Sequence, residues 1–190
     1  MGDRLSEDTR KELSDVDADV RVREAALHLL SYRARTRREL ETRLRQKGFP
    51  AARIRPCLDG LEGKGLLDDE AVAAAFVRDR LRHRPRGRSH LVSELRAKGV
   101  DGDLASEATR RVFEDEEVTD ADLATVAVES WMSRQGSATV EALAAAGRTP
   151  ERDKARRRLY GYLARRGFRG EALNEALEHA ERLAKRGADR

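Results

Sequence analysis

Residues 40–49 read LETRLRQKGF, and the same order of residue types returns as LVSELRAKGV at 91–100 and LYGYLARRGF at 159–168. Each is Leu, three residues, Leu, two residues, a basic residue, Gly and an apolar residue. Leucines four positions apart stack on one face of a helix. A glycine behind them supplies the left-handed conformation that ends a helix, and the next apolar residue folds back on the last turn. Gly48, Gly99 and Gly167 therefore read as helix stops, and the chain as a tandem repeat.

Outward from each stop the pattern is helical on both sides. The first lies between periodic segments at 20–33 and 51–64, the latter carrying Ile54, Leu58 and Leu61. The second has 69–84, a middle helix at 88–98, and 103–114. The third has 121–134, 151–166 and 171–183. Thr36 with Glu39 has capping-box spacing, and Asp68 stands at an N-cap position behind Leu66 and Leu67. The stops are 51 and then 68 residues apart. The surplus falls in GSATVEALAAAGRTP (136–150), where a short extra helix is expected.

The expected fold is all-α, an elongated curved array of three tandem three-helix repeats. Its parts are a flexible acidic leader (1–19) and modules at 20–66, 67–117 and 118–190. Composition agrees: charged residues make up 39% and aromatics 4%, which suits helices with solvated faces better than a strand-rich sandwich. A unit of roughly 50 residues has little core of its own, so neighbouring units are expected to stack.

The net charge of +4 conceals strong segregation. Segments 31–47, 78–98 and 151–166 carry seven, eight and seven basic residues against two acids each, whereas 99–126 carries nine acids against two arginines. Such a polar charge map suits docking onto a mixed-charge assembly. In RDRLRHRPRGRS (78–89) alternate residues lie about 200° apart on a helix, so these arginines cannot form one stripe. Pro85 and Gly87 end the helix and gather Arg84, Arg86 and Arg88 at a turn. Arginine grips carboxylate or phosphate through a two-pronged fork.

Several function classes lack a signature. Single Cys57 excludes an internal disulfide, reads as a buried thiol and fits a reducing cytoplasm. The longest apolar run, 71–77, is far short of the ~20 residues a spanning helix needs. Gly2 with Ser6 matches a loose myristoylation pattern without a polybasic second signal. Asp68 and Asp69 sit where helix capping explains them, and no histidine pair has metal-site spacing. No phosphate loop or nucleophile–base pair is present, so neither enzyme activity nor a cofactor is expected.

The blocks LLSYRARTRRELETRLRQKGF, GKGLLDDEAVAAAFVRDRLRHRPRG, LVSELRAKGV and KARRRLYGYLARRGF resemble successive blocks of the RecX regulatory proteins, over about residues 25–183. Leu66 departs from the pattern, standing where that family usually has Tyr. The resemblance implies tandem three-helix modules and a partner, the recombinase RecA. It implies lodging in the groove of the RecA filament on single-stranded DNA and suppressing ATP hydrolysis, strand exchange and filament growth, within homologous recombination, DNA repair and the SOS response. The chain is then expected to act as a monomer, with single- or double-stranded DNA as a further partner and no membrane.

The candidate contact residues are Arg37, Arg38 and Arg43 from the first module, Arg84, Arg86, Arg88 and Lys98 from the second, and Arg156, Arg157, Arg165 and Arg166 from the third. The rival reading is a direct DNA-binding regulator of helix-turn-helix type, in which Arg53 and Arg55 would reach base edges.

Overall fold

A computed structural model describes residues 7–188, and among them all regular structure is helical. The helices are α1 (Glu7–Tyr32), α2 (Arg37–Gln46), α3 (Ala51–Glu62), α4 (Asp69–His83), α5 (Arg88–Ala97), α6 (Gly102–Asp115), α7 (Asp120–Met132), α8 (Ser137–Ala144), α9 (Pro150–Arg165) and α10 (Gly170–Ala188). The helix expected inside 136–150 is α8. None of the described helices is long and apolar enough to cross a membrane.

The expected punctuation is present. Gly48, Gly99 and Gly167 have φ of +89°, +86° and +86°. Behind the first and third, the Phe49 and Phe168 amides reach back to the carbonyls of Leu44 and Leu163, at 3.2 Å in both cases. This closing bond satisfies a carbonyl that a helix end otherwise leaves bare. Thr36 Oγ1 accepts from the Glu39 amide at 3.1 Å, and Asp68 Oδ1 from the Ala71 amide at 2.9 Å.

The first helix departs from expectation, since it begins at Glu7 rather than near Val20. Residues 7–19 show no apolar period in the sequence, and the contacts at Asp15 and Asp19 are ionic. Arg53 of α3 donates to Asp15 Oδ1 at 2.5 Å, to Asp19 Oδ1 at 2.9 Å and to the Asp15 carbonyl at 3.0 Å. The rest of the expected leader, with Gly2 and Ser6, lies outside the described residues.

The chain divides into two compact units: Met1–Val72 with Ala97–Asp101, and Ala73–Arg96 with Gly102–Arg190. In the first, Val22, Ala26, Leu40, Leu44, Ile54, Leu58, Leu61 and Leu67 form one buried cluster among α1, α2 and α3. Cys57 lies against it half-buried rather than fully buried, and burial pushes its thiol pKa up. In the second, α10 packs on α7, α8 and α9. Trp131, Leu143, Leu159, Leu163, Phe168 and Leu177 are buried there, and so is Phe113 of α6.

Each unit contains one copy of the same joint. In the first, Thr36 Oγ1 donates to the Lys98 carbonyl at 2.7 Å, and the Arg37 amide donates to Asp69 Oδ1 at 2.7 Å. In the second, the Gly87 amide donates to the Arg166 carbonyl at 2.8 Å and the Arg88 amide to Asp120 Oδ1 at 2.9 Å. Ser89 Oγ adds a bond to the Gly167 carbonyl at 2.8 Å. In repeat register Thr36 corresponds to Gly87, Arg37 to Arg88, Asp69 to Asp120 and Lys98 to Arg166. A helix start is thus held on the glycine stop of the following repeat, and an aspartate caps its otherwise unpaired amide.

Candidate basic binding surfaces

The candidate basic residues separate into those consumed by internal partners and those that face outward. Arg37 reaches Asp59 Oδ1 and Glu62 Oε2, both at 2.5 Å. Lys98 pairs with Glu39 at 3.1 Å, and Arg33 pairs with the same carboxylate at 2.9 Å. Burial alone would raise the Glu39 pKa, but the hydrogen bonds from Arg33 and Lys98 outweigh it and hold this carboxyl below the usual range. Arg156 shares Glu181 with Arg152, at 2.5 and 2.7 Å. These residues staple helices together; a partner would have to displace a carboxylate to use them.

Arg38, Arg43, Arg84, Arg157 and Arg165 are exposed. The Arg38 side chain keeps 68% of its surface and has only a 3.9 Å approach from Glu41. Arg43 donates to the Gln46 side chain at 3.1 Å, which leaves its charge uncompensated.

The turn after α4 does not act as one corner. Arg88 folds over the Phe113 ring, 4.5 Å from its centroid, and lies 3.8 Å from Asp120. Arg84 and Arg86 instead line a cavity of 390 Å³ together with Arg134 from the turn after α7, and with Tyr162 and Arg166 from the end of α9. Arg166 lies over the Tyr162 ring, 3.6 Å from its centroid. Arg134 donates to Tyr162 Oη at 3.0 Å. One aromatic side chain thereby orients two guanidinium groups. Tyr160, two positions earlier, faces solvent instead with 53% of its surface exposed.

Burial holds the Arg166 pKa below the ordinary arginine value. Arg86, Arg134 and Arg165 press it down further, while Tyr162 opposes them. A cation crowded by cations marks a local excess of positive charge. Arg134 stands outside every basic run of the sequence, and only the approach of α7 to α9 brings it to the site. The Arg53 side chain, one of the two base-reading candidates, is held by Asp15 and Asp19. Among the described residues no cluster of His, Cys, Asp and Glu is arranged to hold a metal ion.

Comparison with known proteins bears on this arrangement. Residues 23–61 match the model of the first three-helix domain of RecX, and residues 68–108 that of the second. A regulatory protein RecX from Halorhodospira halophila is 35% identical over 166 residues, covering 87% of this chain and 92% of that protein. This chain belongs to the RecX family. A RecX from Mycolicibacterium smegmatis is 40% identical over 143 residues, covering 75% of this chain and 70% of that one. Two solved RecX structures share the fold. One, a regulatory protein RecX, has a TM-score of 0.73 at 24% identity, covering 93% of this chain and 81% of that one. The other, RecX from Lactobacillus salivarius, has a TM-score of 0.67 at 20% identity, covering 87% and 98%. The family is one of regulatory proteins, and its two matched three-helix domains contain the first two stops, Gly48 and Gly99.

Proposed function

We propose that this chain is a monomeric, non-enzymatic cytoplasmic regulator that binds the RecA filament and restrains its ATPase, strand exchange and growth. Membership of the RecX family carries the reading. The outward arginines support it: Arg38, Arg43, Arg84, Arg157 and Arg165 are free to meet carboxylates on a protein partner or phosphates of the DNA it holds. The consumed residues Arg37, Lys98, Arg88 and Arg156 act by setting the shape on which those arginines are displayed. Direct DNA reading of helix-turn-helix type is the weaker account, because Arg53 is engaged with two aspartates.

The test is RecA ATP hydrolysis on single-stranded DNA with added protein, beside DNA binding across a salt series without RecA. Inhibition at protein concentrations below that of RecA, in salt that abolishes free DNA binding, is the expected result. Charge reversal of Arg38 with Arg43, or of Arg157 with Arg165, weakens inhibition while the helical circular dichroism stays intact. Unchanged RecA turnover alongside sequence-specific duplex binding refutes the proposal.

A further inference from the structure

Each unit contains a basic cavity, and the two share three cationic positions in repeat register while the rest of their linings differ. In repeat register Arg33 corresponds to Arg84, Arg35 to Arg86 and Lys98 to Arg166. Arg33, Arg35 and Lys98 line a cavity of 310 Å³ in the first unit, as their counterparts line the 390 Å³ cavity of the second. The first cavity contains its own anion. Glu39 stands in its wall and binds both Arg33 and Lys98.

The residue in register with Glu39 is His90. Its ring takes a hydrogen bond from Arg86, and burial with the charge of Arg86 keeps its pKa below the ordinary histidine value. His90 holds Arg86 from behind and does not itself line the second cavity, which places Arg134 beside the three shared cationic positions. No aspartate or glutamate lines it. The nearest recorded carboxylate contact to its arginines is Glu94, 4.0 Å from Arg86 Nε. The first cavity sets Glu39 among Arg33, Arg35, Arg38, Arg43 and Lys98, whereas the second holds four arginines with no carboxylate in its lining.

We infer that the cavity formed by Arg84, Arg86, Arg134 and Arg166 is a binding site for a free, multiply charged phosphate anion, a diphosphate or triphosphate chain. Arginine forks fit phosphate oxygens in pairs, and four clustered cations match several negative charges better than one phosphodiester. The volume falls within the range of about 300–1,000 Å³ usual for small-ligand sites. Tyr162 offers no free stacking platform, because Arg166 covers its ring and Trp131 lies 6.4 Å away. Recognition then rests on the phosphate chain, supplied by inorganic diphosphate or by a nucleoside triphosphate tail. This site operates in the isolated protein and does not depend on the RecA reading.

The experiment is calorimetric titration and thermal shift of the full chain with sodium diphosphate, with ATP and with a single-stranded oligonucleotide, against sulfate at matched ionic strength. Diphosphate is expected to bind one site. ATP binding with equal strength assigns the source as a nucleotide tail, and exclusion of ATP assigns inorganic diphosphate; both support the site. Arg134→Gln weakens binding about tenfold, the loss of one charge-assisted fork, whereas Arg182→Gln, on α10, leaves it unchanged. His90→Glu places a carboxylate against Arg86 and weakens binding. Diphosphate binding no stronger than sulfate, unaltered binding by Arg134→Gln and His90→Glu, or oligonucleotide binding that diphosphate cannot displace overturns the inference. Since RecA is absent from every arm, such a failure leaves the proposed function standing.

Discussion

Replacing Gly167 with alanine, compared with the same change at Gly48, isolates what the repeat joint contributes. The two glycines have almost the same backbone, φ +86° and +89°. An alanine in this left-handed region costs about 1–2 kcal/mol at either position. At Gly48 an added methyl meets nothing within 4 Å. At Gly167 it would sit 2.5 Å from His90 Cβ and 2.7 Å from the His90 amide nitrogen. Carbon contacts normally lie at about 3.5–4.0 Å, and these atoms cannot swing aside as the tip of a long side chain would. His90 is in the first turn of α5, held by the bonds from Gly87 and Ser89 to the stop itself. Forcing that overlap adds about 1–3 kcal/mol, so Gly167→Ala should cost about 2–5 kcal/mol and Gly48→Ala about 1–2. Urea unfolding followed by helical circular dichroism measures the difference. Equal losses at the two sites would refute the argument that the second and third stops carry a packing constraint the first lacks. Gly99, whose methyl would collide with Cβ and Cγ of Arg38, should behave like Gly167.

Three other outcomes are expected. Glu117 holds φ +51° at the end of α6, so Glu117→Gly should stabilise the protein by about 0.5–1 kcal/mol, read as a higher urea midpoint. Asp69→Ala and Asp120→Ala each strand an amide at the start of a middle helix and should each cost about 1 kcal/mol by the same measurement. The folded chain holds the His90 pKa below 6.5, so it binds fewer protons there than the unfolded chain does. Stability should accordingly fall as pH drops below about 6.5, and His90→Gln should flatten the change in urea midpoint between about pH 7.5 and about pH 5.5. An unchanged slope would show that His90 is not the group responsible.

Much of this architecture is legible along the chain because its signals are local. A leucine pair and a glycine stop act within two turns of helix, and Thr36 and Asp68 cap amides only three residues away. The same locality explains why a leader was expected at residues 7–19. Those residues have no apolar stripe, and the arginine that anchors Asp15 and Asp19 lies 38 and 34 residues further on. Charge runs were a poorer guide. Arg84, Arg86 and Arg88 are neighbours in sequence, yet the backbone turn points two into a cavity and lays the third over Phe113.

By itself, then, the sequence determined ten helices' worth of periodicity, the three stops and the repeat register, since each depends on backbone dihedrals and side-chain spacing within a few residues. Only the tertiary structure decided which cations are spent and which are free. That outcome depends on carboxylates brought from other helices, such as Asp59 and Glu62 to Arg37, and Glu181 to Arg156. It likewise decided that Arg134 joins Arg86 and Arg166, because Coulomb and hydrogen-bond energies depend on distance in space and take no account of separation along the chain.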